Sequence, residues 1–204
     1  MKTKKSHLHE YYNKEYLYVT QNDRGHFLTR ILLDGRLEFA EKAKGNVLDI
    51  GCNDGLIDLH IKNRVDKITG VDISKNLVDI AKSRKINAFV CDAENLSPLY
   101  RKSFDTVMIL ETLEHLENPS KCLKEIKKVL KKDGRLLLTV PSAYGFITQL
   151  LEVKSKLQNK NAPIHHMYKK NEIREVLEKN GFRIVSSSYI SLFNSIAIEA
   201  EHAV

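Results

Sequence analysis

The stretch Val47-Leu-Asp-Ile-Gly-Cys-Asn-Asp-Gly55 decides the fold. Its apolar start reads as a buried strand, and its glycines as a tight turn that hands the chain to a helix over about 55–62. Gly51 and Gly55 lack side chains where a backbone is expected to lie against a ligand. The helix start also offers unpaired N–H groups to an anion. One strand later comes Gly70-Val-Asp-Ile-Ser74. A carboxylate such as Asp72, at the end of that strand, can accept both hydroxyl hydrogens of a ribose. These two pieces together read as an adenosine-containing cofactor on an α/β sheet.

The pattern around them agrees. Strands read at 47–50, 68–72, 88–90, 104–110 and 135–140, with helices at about 55–62, 75–84 and 119–132. Ser74 is placed to cap the second helix. Asn118-Pro119 opens the third, with Pro in the first turn where its missing N–H costs nothing. Gly134 is expected to end that helix before the fifth strand. Continuous apolar strands alternating with helices mean a parallel sheet covered on both faces. Toward the end, 171–180 reads as a helix stopped by Gly181. Two apolar runs follow, 182–190 and 192–200, too close together for a crossover, and so they pair as an antiparallel hairpin.

Before Gly45 there is no strand signal. Tyr11, Tyr12, Tyr16, Leu17 and Val19 make an aromatic-rich segment, and Phe27, Leu28, Ile31, Leu32, Gly35 and Phe39 recur on one helical face. Gly35 on that face weakens a helix by about 1 kcal/mol relative to Ala, which points to a close approach or a break.

Composition excludes several classes. The 204 residues fit one domain. Cys52, Cys91 and Cys122 are odd in number and spaced like no metal site, which fits buried apolar residues in a reducing compartment. The basic start is followed by the polar run Ser6–Lys14 rather than the apolar core of a secretion signal, and no apolar run is long enough to span a bilayer. Cytoplasmic localisation is the expectation. The formal charge of +7 comes largely from a lysine-rich helix over 121–132 and the first five residues, the pattern of a solvated face and a chain end.

Three further pieces narrow the cofactor. Val90-Cys-Asp-Ala-Glu94 ends the third strand with an acid suited to an adenine amino group. Phe104-Asp-Thr-Val-Met-Ile-Leu-Glu-Thr-Leu-Glu-His-Leu-Glu-Asn-Pro119 leads from the fourth strand to the next helix. Leu130-Lys-Lys-Asp-Gly-Arg-Leu-Leu-Leu-Thr-Val-Pro-Ser142 joins that helix to the fifth strand. In order and spacing, residues 45–142 resemble the class I S-adenosylmethionine-dependent methyltransferases, in their ubiquinone-biosynthesis-like (type 11) branch.

The resemblance implies a Rossmann-like seven-stranded sheet of order 3-2-1-4-5-7-6, last strand antiparallel, with helices on both faces. It implies S-adenosylmethionine as cofactor and S-adenosylhomocysteine as product. Asp49 and Gly51 would sit beside the methionine moiety, with Cys52 and Gly55 lining the turn. Asp72 would hold the ribose and Ile73 would lie against the adenine. Asp92 would meet the adenine amino group, with Ala93 beside it, while Leu110 and Glu111 would border the sulfonium. Asn53 stands where the family usually has Gly, and Asn tolerates a positive φ. Residues 1–44 are expected as a helical cap, 45–204 as the methyltransferase domain, and 143–169 as a substrate-side insertion. Tyr11, Tyr12, Tyr16 and Tyr144 are candidate pocket walls or ordinary packing aromatics.

Catalytic candidates are His165 and His166, in the segment before Glu172-Ile-Arg-Glu-Val-Leu-Glu-Lys-Asn-Gly-Phe182, and His115 after the fourth strand. Each is a base or positioning group on one reading and a structural histidine on the other. A base is needed only for an acceptor that arrives protonated. Glu111, Glu114 and Glu117 read as a solvated or capping face rather than a metal site. No Asp/Asn-Pro-Pro-Tyr/Phe run, the signature of amino-group methylation of adenine or glutamine, is present. None of the cysteines is placed like the nucleophile of a cytosine-C5 enzyme. The reaction expected is methyl transfer to a small molecule, at oxygen first, then nitrogen, then carbon. An RNA methyltransferase and a non-catalytic cofactor-binding module remain as alternatives, with a dinucleotide oxidoreductase behind them.

Overall fold

A computed structural model describes residues 27–101, 103–158 and 166–203. Tyr11, Tyr12, Tyr16, Leu17, Val19 and His165 therefore lie outside the described residues, as do the first part of the 1–44 segment and residues 159–165 of the insertion.

The described chain runs α1 (Phe27–Ala40), β1 (Asn46–Ile50), α2 (Leu56–Ile61), β2 (Lys67–Asp72), α3 (Lys75–Ser83), β3 (Ala88–Val90) and β4 (Phe104–Leu110). It continues with α4 (Pro119–Val129), β5 (Leu130–Pro141), α5 (Phe146–Gln158), α6 (Lys170–Lys179), β6 (Phe182–Ile190) and β7 (Ser195–His202). The sheet order is β3-β2-β1-β4-β5-β7-β6. Strands β1 to β5 pair in parallel, and β7 runs antiparallel to both β5 and β6. This is the expected topology, and an antiparallel β7 inserted beside β5 separates it from the dinucleotide-binding sheet.

Both faces are buried, as period-2 alternation along apolar strands requires. Leu48, Ile50, Val107, Ile109, Leu136 and Leu138 pack with Ile126 of α4 and Ile173 of α6. Val47, Met108, Leu110 and Leu137 pack with Phe39 and Ala40 of α1 and Ile61 of α2. Asp49 alternates with Leu48 and Ile50, and so shares the second face with Val47.

The caps follow the sequence reading. The Ser74 side chain accepts the Leu77 N–H, and the Asn118 side chain accepts that of Lys121. Two boundaries differ. The helix expected to reach residue 132 stops at Val129, because Leu130 is buried and already pairs with Phe104. Residues 131–134 then bulge from β5, so Gly134 lies inside a strand instead of ending a helix. The second run of the hairpin begins at Ser195, since Ser191, Leu192 and Phe193 all take left-handed backbone and form its turn. Asn194 ties that turn together, donating to the carbonyls of Ser191 and Leu192 and accepting the N–H of Thr148 in α5.

Gly35 marks a close approach, since a Cβ there would lie 2.3 Å from Ser191 Oγ. That contact lets α1 lie down on the hairpin turn. Of the basic residues at this end of the sheet, Lys128 of α4 lies 2.6 Å from Glu125 Oε1 and Lys131 of β5 2.6 Å from Asp105 Oδ1. No described helix is long and apolar enough to cross a membrane.

Candidate cofactor and acceptor site

The strand order sets the carboxyl ends of β3, β2, β1 and β4 side by side, so that their following turns form one row. Backbone bonds stitch it together. The N–H groups of Gly51 and Cys52 both donate to the Val71 carbonyl, and that of Cys91 donates to Asp72. The turn after β1 carries positive φ at Gly51, Asn53 and Gly55. Asn53 thus adopts the conformation for which Gly is usual, and its side chain accepts the Asp54 N–H at 2.7 Å.

Asp72 is the keystone of this row. Its Oδ2 accepts the Asn53 N–H at 3.0 Å and its Oδ1 that of Ser74 at 2.8 Å. Burial raises its carboxyl above the usual range, and the donors from Ser74, Asn53 and Ile73 pull the other way. With those donors in place the carboxylate still has acceptor capacity for a hydroxyl donor. Ile73 follows at the start of α3, half-exposed. Past β3, Asp92 Oδ1 accepts the Glu94 N–H at 2.9 Å, and Asp92 and Ala93 are half-exposed at the row's end.

The glycines also permit close approaches within the protein itself. A Cβ on Gly51 would lie 2.2 Å from Thr112 Oγ1, and one on Gly55 3.0 Å from Ile86 Cγ1. The space they vacate is filled by the protein's own side chains. Cys52 is likewise a core residue, packed with Val78, Ala81, Ile86 and Ala88. Its thiol is pushed far up by burial, then by the charges of Asp49, Asp58 and Asp72. Asp49 is buried beneath the turn. Its carboxyl is held well above the usual range by burial, then by the charge of Asp58 of α2.

At the end of β4, Leu110 is buried in the layer under α1, and Glu111 takes a positive φ of 51°. Glu111 N–H donates to the Thr139 carbonyl, and its carboxyl bonds the hydroxyls of Ser195 and Thr139, leaving Oε1 buried without a partner. Burial raises this carboxyl, against the opposing charge of Arg36 from α1. Glu114 is buried too, with Oε2 unpartnered, and is raised well above the usual range by burial and then by Glu111. The expectation of one solvated or capping face for Glu111, Glu114 and Glu117 is thus corrected in its solvated reading for Glu111 and Glu114. Only Glu117 is exposed, because a 3₁₀ turn at Leu113–His115 follows β4 and swings the other two inward.

His115 Nε2 lies 3.7 Å from Glu114 Oε1, within that turn. His166 is exposed, with Nε2 2.6 Å from Glu172 Oε1 and its ring edge-on to Tyr168 at 4.4 Å. Tyr168 is buried between the two regions and bridges to Ser142, and its hydroxyl is pushed up to about 12 by burial and the charges of Glu114 and Glu172. Tyr144 is exposed. Sequence reasoning missed Asp58, Arg36 and Tyr168. Arg36 had no signal of its own, while Asp58 could have been noticed as an acid in the first turn of a helix beneath the glycine turn. Among the described residues no group of His, Cys, Asp and Glu could hold a metal ion.

The family described as methyltransferase domain matches residues 24–187. The chain belongs to this family, and its sheet has the strand order of the class I fold, whose members draw on S-adenosylmethionine. Among curated relatives, an uncharacterized protein of Methanocaldococcus jannaschii is 28% identical over 84% of this chain and 82% of its own length. A ubiquinone biosynthesis O-methyltransferase of Xanthomonas euvesicatoria is 29% identical over 64% of this chain, and the match spans only 60% of that enzyme. Among solved structures, magnesium protoporphyrin IX methyltransferase from Synechocystis with bound SAH has a TM-score of 0.75 at 19% identity, covering 98% of this chain and 100% of that one.

Proposed function

We propose that this protein transfers a methyl group from S-adenosylmethionine to a small-molecule acceptor and releases S-adenosylhomocysteine. The observation that carries the reading is the Asp72 carboxylate, pinned by backbone N–H groups of the β1 turn and of α3 in the middle of the row. Along that row Asp49, Gly51, Cys52 and Gly55 shape the methionine end, Asp72 takes the ribose and Ile73 flanks the adenine. Asp92 and Ala93 meet the adenine edge, and Leu110 and Glu111 bound the sulfonium. Unpartnered buried oxygens on Glu111 and Glu114 fit a site made to receive hydrogen-bond donors or a cation.

When bound, the cofactor supplies an electrophilic methyl on a sulfonium that leaves as a neutral thioether. The protein's part is to orient the acceptor in line and exclude water. Residues 1–44 serve as the cap in this reading, and 143–169 as the acceptor-side insertion. In support, the charge of Arg36 of α1 acts on both Glu111 and Glu114, and the charge of Glu114 reaches the Tyr168 hydroxyl. A neutral imidazole can take up an acceptor's proton, a role open to His115, His166 and His165. The small-molecule acceptor and a cytoplasmic location belong to the same proposal.

The test is calorimetry with S-adenosylmethionine, followed by labelled-methyl transfer across hydroxyl, amine and activated-carbon acceptors. Micromolar binding and transfer to one acceptor class are expected. Tight NAD binding without S-adenosylmethionine binding overturns the reading. Cofactor binding without any transfer favours a non-catalytic module, and steeply salt-dependent RNA binding favours an RNA substrate.

A further inference from the structure

Asp58 is the third residue of α2 and is wholly buried, and neither of its carboxyl oxygens meets a conventional donor. Its neighbour is Asp49 on β1, whose carboxyl it pushes up. Two carboxyl groups can bond each other only when one carries a proton. The space for this contact comes from Gly70, the residue opposite Asp49 in the β1–β2 register. A Cβ on Gly70 would lie 3.2 Å from Asp58 Oδ2 and 2.8 Å from Cys52 Sγ. The groups facing the pair are all acids: the Cys52 thiol and the Asp72 carboxyl. Arg84, which packs on the same turn, is engaged with Asp54.

We propose that Asp49 and Asp58 work as one proton-sharing pair beneath the turn, with Asp58 the positioning residue that holds the proton when a cationic ammonium group lies at Asp49. The inference rests on the proposed placement of the methionine end of S-adenosylmethionine, whose α-ammonium is that cation. A buried pair cannot carry two charges, since like charges in a low-dielectric site repel strongly. Sharing one proton leaves a single negative charge. An ammonium near Asp49 draws that charge onto Asp49 and leaves the proton on Asp58, whose hydrogen bond then fixes the Asp49 carboxylate in place.

The coupling has a definite sign. Burial raises Asp58 to about 7, so below neutral pH the pair holds a second proton. Binding of a cation must then expel it. Ligand binding releases a proton at pH 6 and little at pH 8, and affinity weakens by about tenfold per pH unit on the acid side.

The experiment is calorimetry of S-adenosylmethionine in buffers of different ionisation enthalpy from pH 6 to 8, on wild type and Asp58→Asn. The amide can still donate to Asp49 but cannot titrate. Wild type is expected to release at least half a proton more than Asp58→Asn at pH 6, with affinities within about threefold at pH 8. S-adenosylhomocysteine, which keeps the ammonium, shows the same difference, and 5′-methylthioadenosine, which lacks the amino-acid end, shows none. Thermal melts of the ligand-free protein give an independent reading: Asp58→Asn loses the stability drop that wild type shows as pH rises toward 7. Identical proton release and identical melting profiles in the two proteins overturn the pair, and absence of S-adenosylmethionine binding at every pH overturns the cofactor reading instead.

Discussion

Asp72 Oδ2 accepts the backbone N–H of Asn53 at 3.0 Å, so the acid at the end of β2 fastens the turn after β1. One carboxylate thereby shapes the loop and presents its remaining lone pairs to a ligand. Asp72→Ala removes acceptors from two backbone donors, at about 1–3 kcal/mol each. Denaturant unfolding should show that loss, and calorimetry a drop of tenfold or more in S-adenosylmethionine affinity. Lower stability with unchanged affinity would leave Asp72 as a loop fastener alone.

Gly51 and Thr112 form a second coupled pair. Gly51→Ala places a Cβ 2.2 Å from Thr112 Oγ1 on a backbone with φ 76°. The expected cost is about 2–4 kcal/mol, from overpacking and left-handed strain. Adding Thr112→Ala should recover the packing part and leave the strain. If the double variant is no more stable than Gly51→Ala, the contact is not what requires glycine there.

Glu114 predicts a pH dependence. Burial, then the charge of Glu111, holds its carboxyl well above 4.5 in the folded protein, so the folded state keeps a proton that the unfolded chain gives up. Its contribution is present below pH 4.5 and is lost as pH rises through the folded-state value. Glu114→Gln, always neutral, should melt higher than wild type at pH 8 and differ little at pH 5. A lower melting temperature at pH 8 would mean that the ionised carboxylate is stabilising.

Gly35 and Ser191 hold α1 to the hairpin turn. Gly35→Ala gains about 1 kcal/mol of helix propensity but drives a Cβ into Ser191 Oγ at 2.3 Å. A net loss of about 1 kcal/mol is expected. Ser191→Gly relieves both that clash and a φ of 53°, so the double variant should equal or exceed wild type in chemical denaturation. Persistent instability would place the clash elsewhere.

The strand runs, the Ser74 and Asn118 caps and the terminal hairpin were all legible, because each rests on local periodicity or a single capping side chain. Boundaries failed where a long-range contact overrode local chemistry. Leu130 joined the sheet beside Phe104, and Leu192 entered a turn packed against α1. The Glu111–Glu114 spacing suggested a solvent face, but the positive φ at Glu111 and the 3₁₀ turn turned both acids inward.

The sequence by itself determined the sheet, the row of motif acids and the family they resemble, since hydrophobic period and motif order are properties of the chain alone. The tertiary structure decided what surrounds those acids. It set Thr112 over Gly51 and Asp58 near Asp49, and brought the charge of Arg36 to bear on Glu111. Such pairs join residues remote in the chain, and burial, which sets their charge states, exists only once the sheet and helices have closed around them.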